Sequence, residues 1–153
     1  MVAVAGTNPK SGKAAGGIRI TALQVIGGLF TNDKLVTKLA PWTLDIMQLC
    51  HRSLRSSGNG EPTFRIAAVQ TACCVATACR EASLKSKPLE GSRSLAIVGA
   101  MEDRAIVETT RLLRYAVTDK FSEVRNAAAN LCAIMAPMLL YSGTLAKTSG
   151  DGS

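Results

Sequence analysis

The sequence has few aromatic side chains, since Phe, Trp and Tyr make up 4% of its 153 residues. Alternation of apolar and polar residues with a period of two never persists, so strand signals are weak. β-Sandwiches and barrels depend on β-branched and aromatic side chains, and this composition disfavours them. Hydrophobic residues still make up 47% of the chain, and many of them are alanines that suit closely packed helices. The composition therefore predicts an all-α fold.

The chain also has no block of five or six like charges, although its formal net charge is +7. Aromatic residues are not interleaved with the basic ones, which excludes the usual stacking platform for single-stranded nucleic acid. Scattered charge of this kind disfavours a dedicated nucleic-acid arm. It leaves open contact with nucleic acid, anionic lipid or an acidic protein.

Residues that would carry chemistry are equally sparse. No pair of carboxylates lies in an apolar setting, and there is no Cys-x-x-Cys pair. His51 is the single histidine, and its place beside the polar stripe of a helix predicts a surface position. The segment Gly6–Lys13 has one residue too many between its glycines for a phosphate-binding loop, and Ala14 follows where Ser or Thr is needed. We therefore predict no enzyme activity, no cofactor and no metal site.

The five cysteines lie inside apolar helical patterns, and their number is odd. We predict that they are reduced, buried thiols of an intracellular protein. No charged-then-apolar leader and no run of membrane-spanning length is present, which predicts a cytoplasmic location. The cysteines are Cys50, Cys73, Cys74, Cys79 and Cys132.

Five segments have helical periodicity, at about 18–30, 41–56, 62–82, 101–118 and 122–141. Pro137 is expected to kink the last one. The second segment predicts a buried apolar stripe of Trp42, Ile46, Leu49, Cys50 and Leu54. The fourth segment places Glu108 on its outer, polar side. The flanking compositions predict a flexible leader at 1–17, an exposed basic loop at 83–97 and a disordered tail at 142–153.

A short string recurs in the first, third and fifth segments. An apolar residue precedes Arg19, Arg65 and Arg125, an alanine follows three places after each arginine, and an amide follows five places after it. The arginines are spaced by 46 and 60 residues. Two-helix HEAT or armadillo units repeat at about 40–47 residues, and the longer spacing is the same unit with the basic loop inserted. The sequence predicts an α-solenoid of about two and a half repeats.

The recurring arginine has a predicted structural role. It is expected to reach the acid or the carbonyls that close the preceding turn between helices. Asp119 lies six residues before Arg125, which matches the HEAT consensus, whereas Asn59 precedes Arg65 and Lys13 precedes Arg19. We predict a ladder between stacked units formed by Arg19, Arg65, Asp119 and Arg125.

The recurring amides are the candidate partner-binding residues. Gln24, Gln70 and Asn130 lie at equivalent places on the second helix of each unit, and Thr77 extends the stripe by two turns. Two interpretations remain open, namely hydrogen bonds between neighbouring helices or a polar groove for a partner peptide. Neither end of the array has a polar cap, so we predict that the chain is part of a longer array or depends on a partner.

Two blocks of the sequence resemble a known family. One block comprises Leu39–Ile46 and Ser53–Ser56, and the other comprises Thr109–Leu113, Asp119 and Val124–Ala128. They are similar to the N-terminal repeats of the large HEAT-repeat proteins that accompany clathrin adaptors, the SWEETIE-like family. The resemblance implies a non-enzymatic cytosolic scaffold for vesicle traffic between endosomes and the trans-Golgi network. It implies clathrin-adaptor partners and membrane association only through those partners.

Two function hypotheses follow. The first is a helical-repeat scaffold that binds protein partners in membrane traffic. The alternative is a basic helical-repeat module that binds nucleic acid or an anionic surface, and it depends on the net charge and on the predicted basic loop. Phosphate contacts would make the affinity fall steeply with salt, which distinguishes the two.

Overall fold

A computed structural model describes the backbone of residues 9–56, 62–85 and 101–149, and the side chains of residues 16–56, 62–85 and 101–139. A 3₁₀ turn at Ala40–Trp42 joins the helix that ends at Leu39 to the helix that begins at Thr43. The described ranges contain no strand, so the prediction of an all-α fold is confirmed. The helices are α1 (Pro9–Leu29), α2 (Asp33–Leu39), α3 (Thr43–Ser56), α4 (Pro62–Lys85), α5 (Asp103–Val117) and α6 (Ser122–Ser149).

The long helices form two rows. In one row α4 contacts both α1 and α6, and in the other row α3 contacts α5. The rows are joined because α3 also packs against α4 and α5 against α6. Short connections link α3 to α4 and α5 to α6, so each of these pairs is an antiparallel hairpin. The two hairpins lie side by side, and α1 extends the row of α4 and α6.

Small residues let the helices of the α1–α4–α6 row approach closely. Four alanines of α4, Ala67, Ala68, Ala72 and Ala76, are at most 2% exposed. On α1, a Cβ atom built at Gly27 would lie 3.5 Å from the Cα of Thr71 and 3.5 Å from the Sγ of Cys74. These distances are ordinary van der Waals contacts, so an alanine would fit at Gly27, whereas a residue larger than alanine would have to displace α4 because protein interiors are close-packed.

Three helix boundaries differ from the predicted ones. Residues 9–17 belong to α1 although they were predicted to be a flexible leader, because Pro9 suits a first helical position and the alanines at 14 and 15 favour helix. Residues 142–149 belong to α6 although a disordered tail was predicted from 142, and Pro137 lies inside the helix without ending it. α4, which corresponds to the third predicted segment, continues to Lys85, into the predicted loop. Residues 1–8, 86–97 and 150–153 of the predicted leader, loop and tail lie outside the described residues.

α2 was not predicted from the sequence. Its N-terminus is capped by Asn32, whose side-chain oxygen accepts a hydrogen bond of 3.0 Å from the backbone N–H of Lys34. Seven residues are too few to show a clear helical period, which is why pattern analysis missed it. The predicted apolar stripe of α3 was wrong in part, because Trp42 is 60% and Leu49 is 39% exposed. Cys50 and Leu54 of the predicted stripe are buried as predicted, and Met47 belongs to the buried face as well.

Candidate functional site

The carboxylate of Asp119 joins the two hairpins. One of its oxygens, Oδ2, accepts hydrogen bonds from two nitrogens of Arg65, with the Nε bond at 2.7 Å. The other oxygen accepts from the backbone N–H of Phe121 at 3.0 Å. Arg65 also donates to the carbonyl of Leu54 at 3.0 Å, at the end of α3. The Asp119 side chain is fully buried and that of Arg65 is 13% exposed, so this is an ion pair shielded from solvent.

Arg125 closes its own turn rather than pairing with the carboxylate. Its Nη1 donates to the backbone carbonyls of Asp119 at 2.7 Å and Lys120 at 3.0 Å. Arg19 is exposed and forms no ion pair within the described residues. The position equivalent to Asp119 in the preceding turn is Asn59, which lies outside them. Of the four predicted ladder residues, the structure brings together Arg65, Asp119 and Arg125 and leaves Arg19 apart.

The three recurring amides lie on the surface of the α1–α4–α6 row. Gln24, Gln70 and Asn130 are all exposed, and Thr77 is half-buried. Between residues 64 and 80 of α4, Gln70 is the one exposed side chain. Within the described residues none of the three amides forms a hydrogen bond, so they do not bridge neighbouring helices there. Their polar groups are available to a partner.

A second buried polar contact was not predicted. His51 of α3 uses its Nδ1 to form a short hydrogen bond and ion pair with Oε1 of Glu108 on α5. The other carboxylate oxygen accepts from Nη1 of Arg111 at 3.3 Å. His51 and Glu108 are each 8% exposed, so the predictions that both lie on the surface were wrong.

Aromatic and cationic groups surround this pair. The His51 ring lies 5.5 Å from the Tyr115 ring, centroid to centroid, and the guanidinium of Arg55 lies 5.5 Å from the same tyrosine ring. Burial raises the pKa of Glu108, but the hydrogen bonds and charges of His51 and Arg111 lower it more, so this pKa lies below its ordinary value. In the described part of the chain, Nε2 of His51 is a buried polar atom without a hydrogen-bond partner.

The pair escaped prediction because each residue alone looks like a surface residue. His51 lies next to Arg52, and Glu108 lies one turn from Arg104 and from Arg111 on α5. Neither belongs to the recurring arginine string, so the repeat gave no reason to connect them. The only sequence signal is their position on two helices that a stacked array would place side by side.

The cysteines divide by position. Cys50 and Cys79 are buried, Cys73 and Cys74 are half-buried, and all five cysteines are free thiols. Burial raises the pKa of Cys50 and of Cys73 to about 12, so neither is an activated nucleophile. Cys132 is exposed, which corrects the prediction of burial. It lies on the outer face of α6, whereas the inner face carries Val124, Ala128, Leu131 and Met135.

A cleft of about 410 Å³ lies between α2 and α4. Phe30, Val36 and Met101 line it, and at its edge Lys85 donates a hydrogen bond of 2.8 Å to Asp33. Lys85 therefore has an acidic partner inside the chain, although it was predicted to belong to an exposed basic loop. Lys87 and Arg93 of that predicted loop lie outside the described residues.

Across the same described ranges, no group of three or more His, Cys, Asp or Glu side chains is placed to hold a metal ion. No helix there is long and apolar enough to cross a membrane. Comparisons of the chain with protein-family models, with curated proteins and with solved structures found no match.

Proposed function

We propose that the chain is a HEAT-type α-solenoid of about two and a half repeats that acts as a non-enzymatic scaffold for protein partners. The two stacked hairpins and the extra helix α1 support this proposal, because repeat arrays are built from such units in contact with their neighbours. The ion pair between Arg65 and Asp119 supports it as well, since it links one hairpin to the next at a position that the sequence repeat singles out.

The observation that carries the proposal is the exposure of Gln70. Neighbours cover nearly all of the middle of α4, yet this amide reaches the surface. The equivalent amides of α1 and α6, the two helices that pack against α4 in the same row, are exposed as well. A row of unpaired amides offers both donors and acceptors to the backbone of an extended peptide. We propose that Gln24, Gln70, Thr77 and Asn130 form the partner-binding surface.

We further propose that the partners belong to the clathrin-adaptor machinery, in traffic between endosomes and the trans-Golgi network. This step depends on the sequence blocks at Leu39–Ser56 and Thr109–Ala128 and on their resemblance to large adaptor-accessory HEAT proteins. The chain would then be cytoplasmic and reach Golgi or endosomal membranes only through its partners.

The test is a titration of purified clathrin-adaptor complex into the full chain by calorimetry. We expect binding of the unaltered chain and a weakening of about tenfold or more for Gln70→Arg, because a bulky cation would block the amide surface. Gln48→Arg is the control, since it makes the same substitution at a half-buried glutamine of α3 in the other row and should leave the affinity unchanged. Absence of binding by the unaltered chain would reject the adaptor assignment. Equal affinities for the two variants would reject the amide surface.

The alternative, a module for nucleic acid or anionic surfaces, is tested with duplex DNA, RNA and anionic vesicles over a range of salt concentration. Four arginines already have acceptors inside the protein, namely Arg52, Arg65, Arg111 and Arg125. We therefore expect no tight binding at physiological ionic strength. A nucleic-acid affinity that falls steeply with salt would favour the alternative.

A further inference from the structure

A second cleft, of about 370 Å³, lies between α1 and α3, and both of these helices pack against α4. The residues that decide its chemistry are Arg19, Leu23 and Ile26 of α1, Leu49 and Arg52 of α3, and Phe64 of α4. The α1 residues are spaced by four and three positions and the α3 residues by three, so each set lies along one face of its helix. The volume is within the range of protein pockets that bind ligands.

Apolar side chains line much of this α1–α3 cleft. Leu23 is buried, Ile26 and Phe64 are half-buried, and Leu49 is exposed. The exposure of Leu49 is the point at which the predicted apolar stripe of α3 differs from the structure. Covering such surface stabilises a complex by about 25 cal/mol for each Å² of apolar area removed from water. The α1–α3 cleft is therefore suited to an apolar side chain of a ligand.

The charged residues that line the α1–α3 cleft are both arginines, and no Asp or Glu is among its lining residues. Arg19 has no ion pair within the described residues. The Nε of Arg52 donates to the carbonyl of Gln48 at 3.4 Å, but its Nη groups have no acceptor in the described part of the chain. The cleft between α2 and α4 has the opposite charge, since three carboxylates and one lysine line it. Charge therefore favours an anionic ligand between α1 and α3.

The packing of the array indicates the shape of that ligand. α3 lies beside α4 and α5 lies beside α6, so each of these pairs has one helix in each row. Among the described helices α1 has no such partner. A helix laid in the α1–α3 cleft would contact α1 and α3 together, as α5 contacts α6 and α3. Binding of an amphipathic helix in a groove between helices is a common mode of peptide recognition.

We propose that the α1–α3 cleft binds an acidic amphipathic helix of a partner protein. The apolar side chains of that helix pack against Leu49 and Phe64. Its carboxylates accept hydrogen bonds from Arg19 and Arg52, because a guanidinium and a carboxylate match each other in two parallel N–H···O bonds. This site is separate from the amide surface around Gln70, and it involves neither the adaptor assignment nor the amides.

The test is fluorescence anisotropy of a labelled helical peptide of about four turns, titrated with the full chain. The peptide carries leucines along one face and glutamates on both sides of that face, and a second peptide has glutamine in place of each glutamate. We expect a dissociation constant on the order of 10 μM for the glutamate peptide, because one helix buries less area than a standard interface. The glutamine peptide should bind about tenfold more weakly. Added salt should weaken the glutamate peptide alone.

Arg19→Glu and Arg52→Glu should each weaken the glutamate peptide by about two- to tenfold, and both side chains are exposed, so folding should be retained. A peptide with lysine in place of each glutamate should bind the double variant more tightly than it binds the unaltered chain. Arg104→Glu on α5 is the matched control, since it reverses the charge of an exposed arginine outside the cleft. Gln70→Arg should also leave peptide binding unchanged, which separates this site from the amide surface.

Equal affinities for the glutamate and glutamine peptides would overturn the proposal. So would no peptide binding at all, or the same loss of affinity for Arg104→Glu as for Arg19→Glu and Arg52→Glu. Anionic vesicles are the further probe. Binding of vesicles in place of the peptide, with the same dependence on Arg19 and Arg52, would assign the cleft to lipid and reject a partner helix.

Discussion

The two hairpins are joined by two buried polar contacts that differ in kind. Asp119 and Arg65 lie at the end where the chain turns from α5 into α6, and both carboxylate oxygens of Asp119 have donors. His51 and Glu108 lie between the midsections of α3 and α5, and one nitrogen of His51 has no hydrogen-bond partner among the described residues. The first contact also includes backbone groups, since the Phe121 N–H donates to Asp119 and the Leu54 carbonyl accepts from Arg65. The hydrogen bonds of the second contact join side chains to side chains.

This difference shows how a buried charge is tolerated. Removing a charged group from water costs several kcal/mol, which only good geometry and further hydrogen bonds recover. The Asp119 contact satisfies the groups on both sides, so it should stabilise the stack. The His51 contact leaves a polar atom unsatisfied, so a matched apolar pair should serve nearly as well there.

The largest expected effect is that of Asp119→Ala. This change leaves the guanidinium of Arg65 without its carboxylate and the Phe121 N–H without its acceptor, so we expect the free energy of unfolding to fall by about 3 kcal/mol. Urea denaturation followed by circular dichroism measures it. Asp119→Asn keeps an acceptor for Phe121 and should cost less. An unchanged midpoint for Asp119→Ala would show that the ion pair does not hold the hairpins together.

Glu108→Ala should have the next largest effect. His51 would lose its one hydrogen bond while remaining buried, so we expect a loss of about 2 kcal/mol in the same unfolding measurement. Asp33→Ala is the control, because it breaks an exposed ion pair with Lys85 and should leave the midpoint unchanged. If Glu108→Ala and Asp33→Ala lowered the free energy of unfolding equally, the contact between His51 and Glu108 would stabilise the chain no more than an exposed ion pair does.

The double variant His51→Leu with Glu108→Met should lie within about 1 kcal/mol of the unaltered chain, because it removes the desolvated charge together with its partner. The corresponding removal of both Arg65 and Asp119 should remain costly, since the Phe121 N–H and the Leu54 carbonyl would each lose a bond. If the double variant at 51 and 108 were as unstable as Glu108→Ala, the two buried contacts would not differ in the way proposed.

The smallest expected effect is a dependence on pH. The pKa of Glu108 is lowered in the folded chain, so its contribution to stability is present above the ordinary value of about 4.5 and is lost as the pH falls through the lowered one. Unfolding at a series of pH values should therefore show a steeper acid loss for the unaltered chain than for Glu108→Gln. Both chains retain Asp119, so its titration cancels in the difference. Parallel curves would contradict the lowered pKa.

Part of the polar architecture was predictable because it belongs to a repeated pattern. The recurrence around Arg19, Arg65 and Arg125 singled out Asp119 as their acid before any contact was known. The same pattern did not show which arginine pairs with the carboxylate of Asp119, since Arg65 and Arg125 both lie close to the turn between α5 and α6. Arg65 pairs with it, and Arg125 takes the backbone carbonyls instead.

The periodicity of a single helix predicted only part of its buried surface. α6 carries apolar residues nearly all round, so its sequence did not show that the covered stripe is Val124, Ala128, Leu131 and Met135. α4 is covered from several directions, so its amphipathic pattern is weak and the exposure of Gln70 could not be read from it. The burial of His51 and Glu108 depends on a helix 57 residues away along the chain.

The sequence by itself determined that this chain is helical, where most of its long helices lie and which arginines recur. Those properties depend on local periodicity, capping and composition, which act over one or a few turns. Tertiary structure alone decided which helices pack side by side, which charges are buried and which of the recurring amides reach the surface. Each of these depends on the meeting of segments far apart in the chain, and the free energy of burial belongs to the pair rather than to either segment.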